Sequence, residues 1–434
     1  MRLAYFVFIL LMVLMTSAQC QQTAEDWFDK GLALYSQSKY DEAVQAYDEA
    51  IRLDANFAAA WSNKGVALDD LRRYDEAIRA YDEAIRLNPQ DVVAWYNKGL
   101  SLAIQGKYNE SIEAYDEVIR LDPDLAAAWS NKGLSLKNLG KYDEAIEAFD
   151  EAIWLEPKLA AAWSNKGIAL DLEGKYNEAI KAYDEAIRLD PQNTNAWHNK
   201  GAALASQGKH DEAIRAYDEA IRLDPNHAAA WSNKGIALAA QSEYDEAIKA
   251  YNEAIRLDPN YASARNNKGV ALNAQGKYDE AIQAYDEALK LDPNYANAWY
   301  NKGLSLNTQG KYDEAIKACD EAIRLDPQYA KAWYSKGIAL NALVKYDEAI
   351  QAYDEAIRLD PKFVDAWQNK GVALGIQGRY DEAIEAFDEA IRLDPNYAAA
   401  WTAKGLALEA LGRTVGADAA FARAEELEAI EPTP

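Results

Sequence analysis

The sequence is poor in the residues that most often carry out chemistry. Two cysteines and three histidines are spread over 434 residues, too few and too scattered for a disulfide framework or a cysteine–histidine metal centre. All three methionines, Met1, Met12 and Met15, lie at the extreme N-terminus. Basic charge is short as well: 46 Lys+Arg stand against 71 Asp+Glu, a formal net charge of −25. That balance argues against DNA, RNA or anionic lipid as the main partner. There is no Gly-rich phosphate loop and no calcium loop of alternating aspartates. Neighbouring acids such as Asp75-Glu76 point about 100° apart on a helix and make no acid/base pair. No catalytic residue, metal site or cofactor is expected, and the chain reads as a non-enzyme.

What the sequence has instead is a period. The stretch from Val364 to Tyr397, VDAWQNKGVALGIQGRYDEAIEAFDEAIRLDPNY, recurs twelve times between Ala24 and Glu431, each copy 34 residues long. Numbering each copy from 1 to 34, Trp367, Gly371 and Leu374 fall at positions 4, 8 and 11, one face of a first helix. Gly378 breaks that helix. Ala383, Phe387 and Ala390, at positions 20, 24 and 27, form one face of a second helix, which Pro395 at position 32 stops. Small Gly371 and Ala383 let the two antiparallel helices approach closely. The three histidines, His198, His210 and His227, fall at positions 5, 17 and 34 and read as tolerated substitutions.

This pattern resembles the tetratricopeptide repeat (TPR) family, whose tryptophan, glycine, alanine, aromatic and proline positions all have counterparts here. Two departures recur: Lys370 where the family usually has leucine, and Leu374 where it usually has tyrosine. The resemblance implies an all-α fold, a right-handed superhelical solenoid of antiparallel helix pairs in twelve TPR units. It also implies that first helices line a concave groove and that the function is protein binding. The repeats occupy 24–431. In the last, Thr414-Val415-Gly416-Ala417-Asp418 replaces the usual Tyr-Asp-Glu-Ala-Ile, which reads as a degenerate cap. Residues 432–434 are a tail.

Residues 1–18, MRLAYFVFILLMVLMTSA, have the layout of a secretory signal peptide, and 19–23 form a short segment before the first repeat. The apolar run from Leu3 to Met15 is shorter than the about 20 residues of a membrane-spanning helix. An uncleaved anchor is the alternative reading, and lipidation at Cys20 a third, disfavoured by Gln19 where a small residue is wanted. The expected localisation is extracytoplasmic, secreted or anchored to the outer side of the cytoplasmic membrane, with membrane contact only through the leader. Cleavage removes Arg2 and takes the charge from −25 to −26.

The charges have regular places. Asp at position 25 and Arg at position 29, as in Asp48 with Arg52, are expected to pair at i,i+4 on the second helices. Lys at position 7, from Lys30 to Lys404, sits beside the apolar stripe and is expected to extend its ammonium to an acid of a second helix.

Positions 2, 6, 9 and 13 project from the first helix away from its core stripe. Position 6 is asparagine in nine copies: Asn63, Asn97, Asn131, Asn165, Asn199, Asn233, Asn267, Asn301 and Asn369. A ladder of amides offers donors and acceptors that grip a peptide backbone without reading its side chains. It is similar to the asparagine ladder in the TPR superhelix of O-linked N-acetylglucosamine transferase; the alternative is that these amides bond only nearby backbone or water. Position 9 is aliphatic or alanine and position 5 is never lysine, unlike the TPR modules that clamp acidic chaperone tails. The reading is a protein-interaction scaffold for extended peptide or helical segments in the groove. A self-associating envelope component or the regulatory subunit of an enzyme complex are the alternatives. Arg265 and Cys319, which replace a tryptophan and an aromatic, mark repeats eight and nine as the weakest stretch.

Overall fold

A computed structural model describes residues 22–430; the leader, Cys20 and the tail lie outside the described residues. Two compact units divide at Lys209 and His210, so the sixth repeat gives its first helix to one unit and its second helix to the other. Each unit is an all-α solenoid of helix pairs in which successive helices of that unit pack against one another. Among the described residues there is no strand.

Every repeat is built alike. Its first helix has 13 residues, as in Val364–Ile376. Its second has 14 in all but the last copy, as in Tyr380–Leu393. The sequence YDEAIEAFDEAIRL places alanine, isoleucine and aromatic side chains on one stripe, with Asp381 and Glu382 in the first turn and Arg392 in the last, both favourable to the helix dipole. In seven repeats the second helix ends where an aspartate carboxylate accepts the N–H two residues on, as Asp258 Oδ1 does from Asn260 at 2.9 Å, with proline between them. The last copy departs from this plan. Its second helix runs Thr414–Ile430 and buries Ala417, Ala420, Ala424 and Leu427 on one side.

The turn between the two helices needs a left-handed residue at position 15. Gly378 supplies it at φ +79°. In four copies a side chain is forced into that region, including β-branched Val344 at φ +65°, a conformation costing about 1–2 kcal/mol for an L-residue. Glycine at position 8 has a different reason: a Cβ on Gly371 would meet Cε1 of Phe387 at 2.5 Å. The helices close until the aromatic ring lies against bare backbone. At Gly303 the opposing atom is the smaller Sγ of Cys319. Cys319 is fully buried, and desolvation pushes its thiol up to about 11, away from thiolate chemistry.

Two sequence expectations are corrected. The tryptophans at position 4, on the face that the spacing marks as the core stripe of the first helix, are only half-buried and pack against the buried clusters from outside. In eight of these tryptophans the indole N–H donates to the proline carbonyl six residues earlier, as Trp299 does to Pro293 at 3.0 Å, whereas Trp333 Nε1 is buried without a partner. The arginines at position 29 pair with Glu at i−3, as Arg52 does with Glu49 at 2.7 Å, and not with Asp at i−4. The aspartate is taken by another partner: Lys64 holds Asp48 at 2.5 Å.

Candidate peptide-binding face

That lysine–aspartate contact is a rule of the array. In ten repeats the position-7 ammonium lies 2.5–2.7 Å from the aspartate sixteen residues earlier, on the second helix of the preceding repeat. The same ammonium lies over its own tryptophan, 5.4 Å from the ring centroid for Lys370 and Trp367. The expected extension of this lysine is therefore found. Glutamine at position 14 adds a second staple, Gln105 Nε2 donating to Asp75 Oδ1 of the preceding repeat at 3.0 Å. The aspartates of positions 25 and 18 on the second helices thus help to hold neighbouring repeats together.

The first-helix face is different. Ile236, Val270, Leu304 and Leu406, all at position 9, are 47%, 45%, 37% and 57% exposed. Ile104, Leu172 and Ile376 at position 13 are exposed as well. An aliphatic stripe in water invites a partner.

The nine asparagines of position 6 lie beside it, all half-buried. Their amides are not equivalent. Asn131 Nδ2 donates to the Tyr96 hydroxyl at 2.8 Å and Asn369 Nδ2 to that of Tyr334 at 2.8 Å. Asn301 Nδ2 donates to Asn266 Oδ1 at 3.0 Å, and Asn266 Nδ2 to Asn267 Oδ1 at 3.2 Å. Asn63 Nδ2 turns back to its own helix at Ala59 O, 2.9 Å away. Part of the ladder therefore bonds the residue at position 5 of the preceding repeat. Asn97, Asn165 and Asn199 have serine at that neighbouring place, Ser62, Ser130 and Ser164.

Position 12, which the sequence did not single out, forms a polar seam between first helices. Asp69 accepts from Tyr81 Oη at 2.8 Å and from Ser101 Oγ at 2.7 Å. Burial raises its pKa, against the lowering effect of these two donors. Asn273 takes the same role for Ser305 at 2.6 Å. Asp171 is also raised by burial, and Lys137 lowered by it. Polar residues at i, i+32 spacing were the available signal, hidden because position 12 varies from copy to copy.

His227 accepts the N–H of Ala230 through Nδ1 at 3.2 Å, the role of a helix cap. Among the described residues no group of three or more His, Cys, Asp or Glu side chains is placed to hold a metal ion. Among them no helix is long and apolar enough to cross a membrane.

These paired helices, stapled at a fixed period and presenting one open face, define a repeat protein of the interaction-module class. The tetratricopeptide repeat model matches residues 28–92, 64–126, 198–262, 234–296, 266–330 and 300–362, and related repeat models match 126–159, 364–397 and 172–208. The chain belongs to the tetratricopeptide repeat family. No curated protein matches it in sequence. Among solved structures it is similar to yeast Tom70, at 18% identity over 91% of this chain and 96% of that one, TM-score 0.43. It is also similar to MamA, at 32% identity over 37% of this chain and 94% of that one, TM-score 0.36. A third is YrrB, described as a TPR protein with an unusual peptide-binding site, at 25% identity over 44% of this chain and 98% of that one, TM-score 0.38.

Proposed function

We propose that the chain is a non-catalytic protein-interaction scaffold that holds an extended or helical segment of a partner along its first helices. The observation that carries this reading is the exposed aliphatic row at position 9 beside a row of carboxamides, on a protein whose position-7 lysines and position-29 arginines are mostly paired internally. The aliphatic groups supply affinity by burial, and the amides orient the backbone. Peptides selected against the immobilised chain test it. Replacing Asn97, Asn165 and Asn199 together by alanine weakens binding of selected peptides irrespective of their side chains, by about 0.5–1.5 kcal/mol per hydrogen bond lost. Helicity stays unchanged. Peptide binding untouched by the triple substitution refutes the role of the amides.

The scaffold is exported. Its leader has the layout of a signal peptide, so the native protein begins near Gln19 or Cys20 and its repeats lie outside the cytoplasm. Intact mass decides: retention of Met1 rejects cleavage and leaves the anchored form.

A further inference from the structure

Ten repeats share one construction in the groove where a second helix meets the next repeat: tryptophan, lysine above it, and aspartate answering the lysine. The eighth repeat keeps the lysine and changes what surrounds it. Arg265 replaces the tryptophan, and Asn252, sixteen residues before Lys268, replaces the aspartate. Lys290 replaces the arginine of position 29. Among the described residues Lys268 has no ion-pair partner, unlike its counterpart in each of the ten. Lys30 has none among the described residues either, and Leu14, sixteen residues before it, lies outside them.

Arg265 adds a second cation at the same place. Its side chain is 14% exposed and its nearest carboxylate is Glu287, Nε to Oε2 at 3.7 Å, longer than a hydrogen bond. Gln283 Nε2 donates to the other oxygen of Glu287 at 3.1 Å. Arg265 Nη1 is buried with no hydrogen-bond partner. A buried guanidinium donor without an acceptor is costly. Two cations thus stand with one carboxylate, that of Glu287 at 3.7 Å from Arg265, where each sister groove matches its one lysine with an aspartate at hydrogen-bond distance, in a chain whose formal net charge is −25.

We propose that this groove, between the helix Tyr244–Leu257 and the eighth repeat, is a binding site for a carboxylate carried by a partner protein. The ten sister grooves are the template: each places a carboxylate within 2.7 Å of the equivalent lysine. Here, among the described residues, none supplies that carboxylate to Lys268, and one from outside completes the site. Lys268 donates to it, the Arg265 guanidinium adjoining it adds positive charge, and Asn252, exposed at the rim, admits it without charge repulsion. An aspartate or glutamate side chain and a C-terminal carboxylate share this chemistry. The site lies where the second helix Tyr244–Leu257 meets the next first helix, Ala262–Ala274, and uses positions 4 and 7 of that helix instead of positions 6 and 9, so it does not depend on the peptide-binding reading.

The test uses the full chain labelled with 15N-arginine, following the Nε–Hε signal of Arg265, assigned by its loss in Arg265→Lys. The probes are acetyl-Ala-Glu-Ala-amide, acetyl-Ala-Ala-Ala with a free C-terminus, acetyl-Ala-Gln-Ala-amide and inorganic phosphate. One or both carboxylate peptides shift the signal saturably, the stronger of the two identifying side chain or terminus, while the glutamine peptide binds at least about tenfold more weakly. Asn252→Asp restores the array's own carboxylate and abolishes saturable binding, and since aspartate stands there in the sister repeats, the fold is kept. Absence of a saturable shift, an equal response to the glutamine peptide, an undiminished response in Asn252→Asp, or a response to phosphate alone overturns the proposal.

Discussion

Two glycines one helical turn apart should respond to alanine with opposite signs. Gly371 and Gly375 share the helix Val364–Ile376, so alanine gains similar helix propensity at both, about 0.8–1 kcal/mol. At Gly375 the new Cβ meets only the Cβ of Ala383, at 3.9 Å, an ordinary contact. The propensity gain is kept there, and Gly375→Ala stabilises by about 0.5–1 kcal/mol. At Gly371 the Cβ falls 2.5, 2.7 and 2.9 Å from Cε1, Cδ1 and Cζ of Phe387, a ring 2% exposed with nowhere to withdraw. Overpacking of this kind costs about 1–3 kcal/mol, which offsets and then exceeds the gain. A repeat array does not unfold in a single step, so a midpoint alone is a poor measure. Hydrogen exchange across Val364–Leu393 is the assay, with thermal melting beside it. Gly371→Ala speeds exchange in both helices of the repeat and Gly375→Ala slows it. Phe387→Leu in the Gly371→Ala background restores part of the loss. Equal signs at the two sites would refute the claim that the position-8 glycine exists for the ring of position 24.

Further outcomes follow from other features. The Asp69 carboxyl is raised by burial, so the folded state holds its proton more tightly than the unfolded chain and stability falls as pH rises from the unfolded value, about 4, through the folded one. Asp69→Asn, which keeps an acceptor as Asn273 does in its own seam, raises the melting temperature at neutral pH, with the advantage vanishing in acid; a loss of stability at neutral pH refutes this. Exchange concentrates between Ala262 and Tyr329, where the cluster around Tyr285 lacks the tryptophan present in its neighbours. Arg265→Trp slows that exchange, and uniform protection along the array rejects the weak stretch.

Much of the architecture was legible because a repeat states each constraint twelve times. Trp367, Gly371, Ala383, Phe387 and Pro395 recur at fixed positions, and each answers a local need: a face of a helix, a close approach, a stop. The position-7 lysine could be assigned an acidic partner on a second helix from helical angle alone. What helical angle does not give is a partner in another repeat. Asp48 has Arg52 one turn away in sequence, yet it lies 2.5 Å from Lys64, because stacking brings the next first helix over it and leaves Arg52 to Glu49. The asparagine row was equally visible in sequence. Only the stacked helices distinguish Asn131, whose donor is held by Tyr96, from Asn97, which has Ser62 at the equivalent place. The period and helix pairs are properties of one repeat and follow from the chain itself. The ion pairs, the position-12 seam and the altered groove at Arg265 join residues 16 to 35 apart, and the tertiary packing of neighbouring repeats decides them.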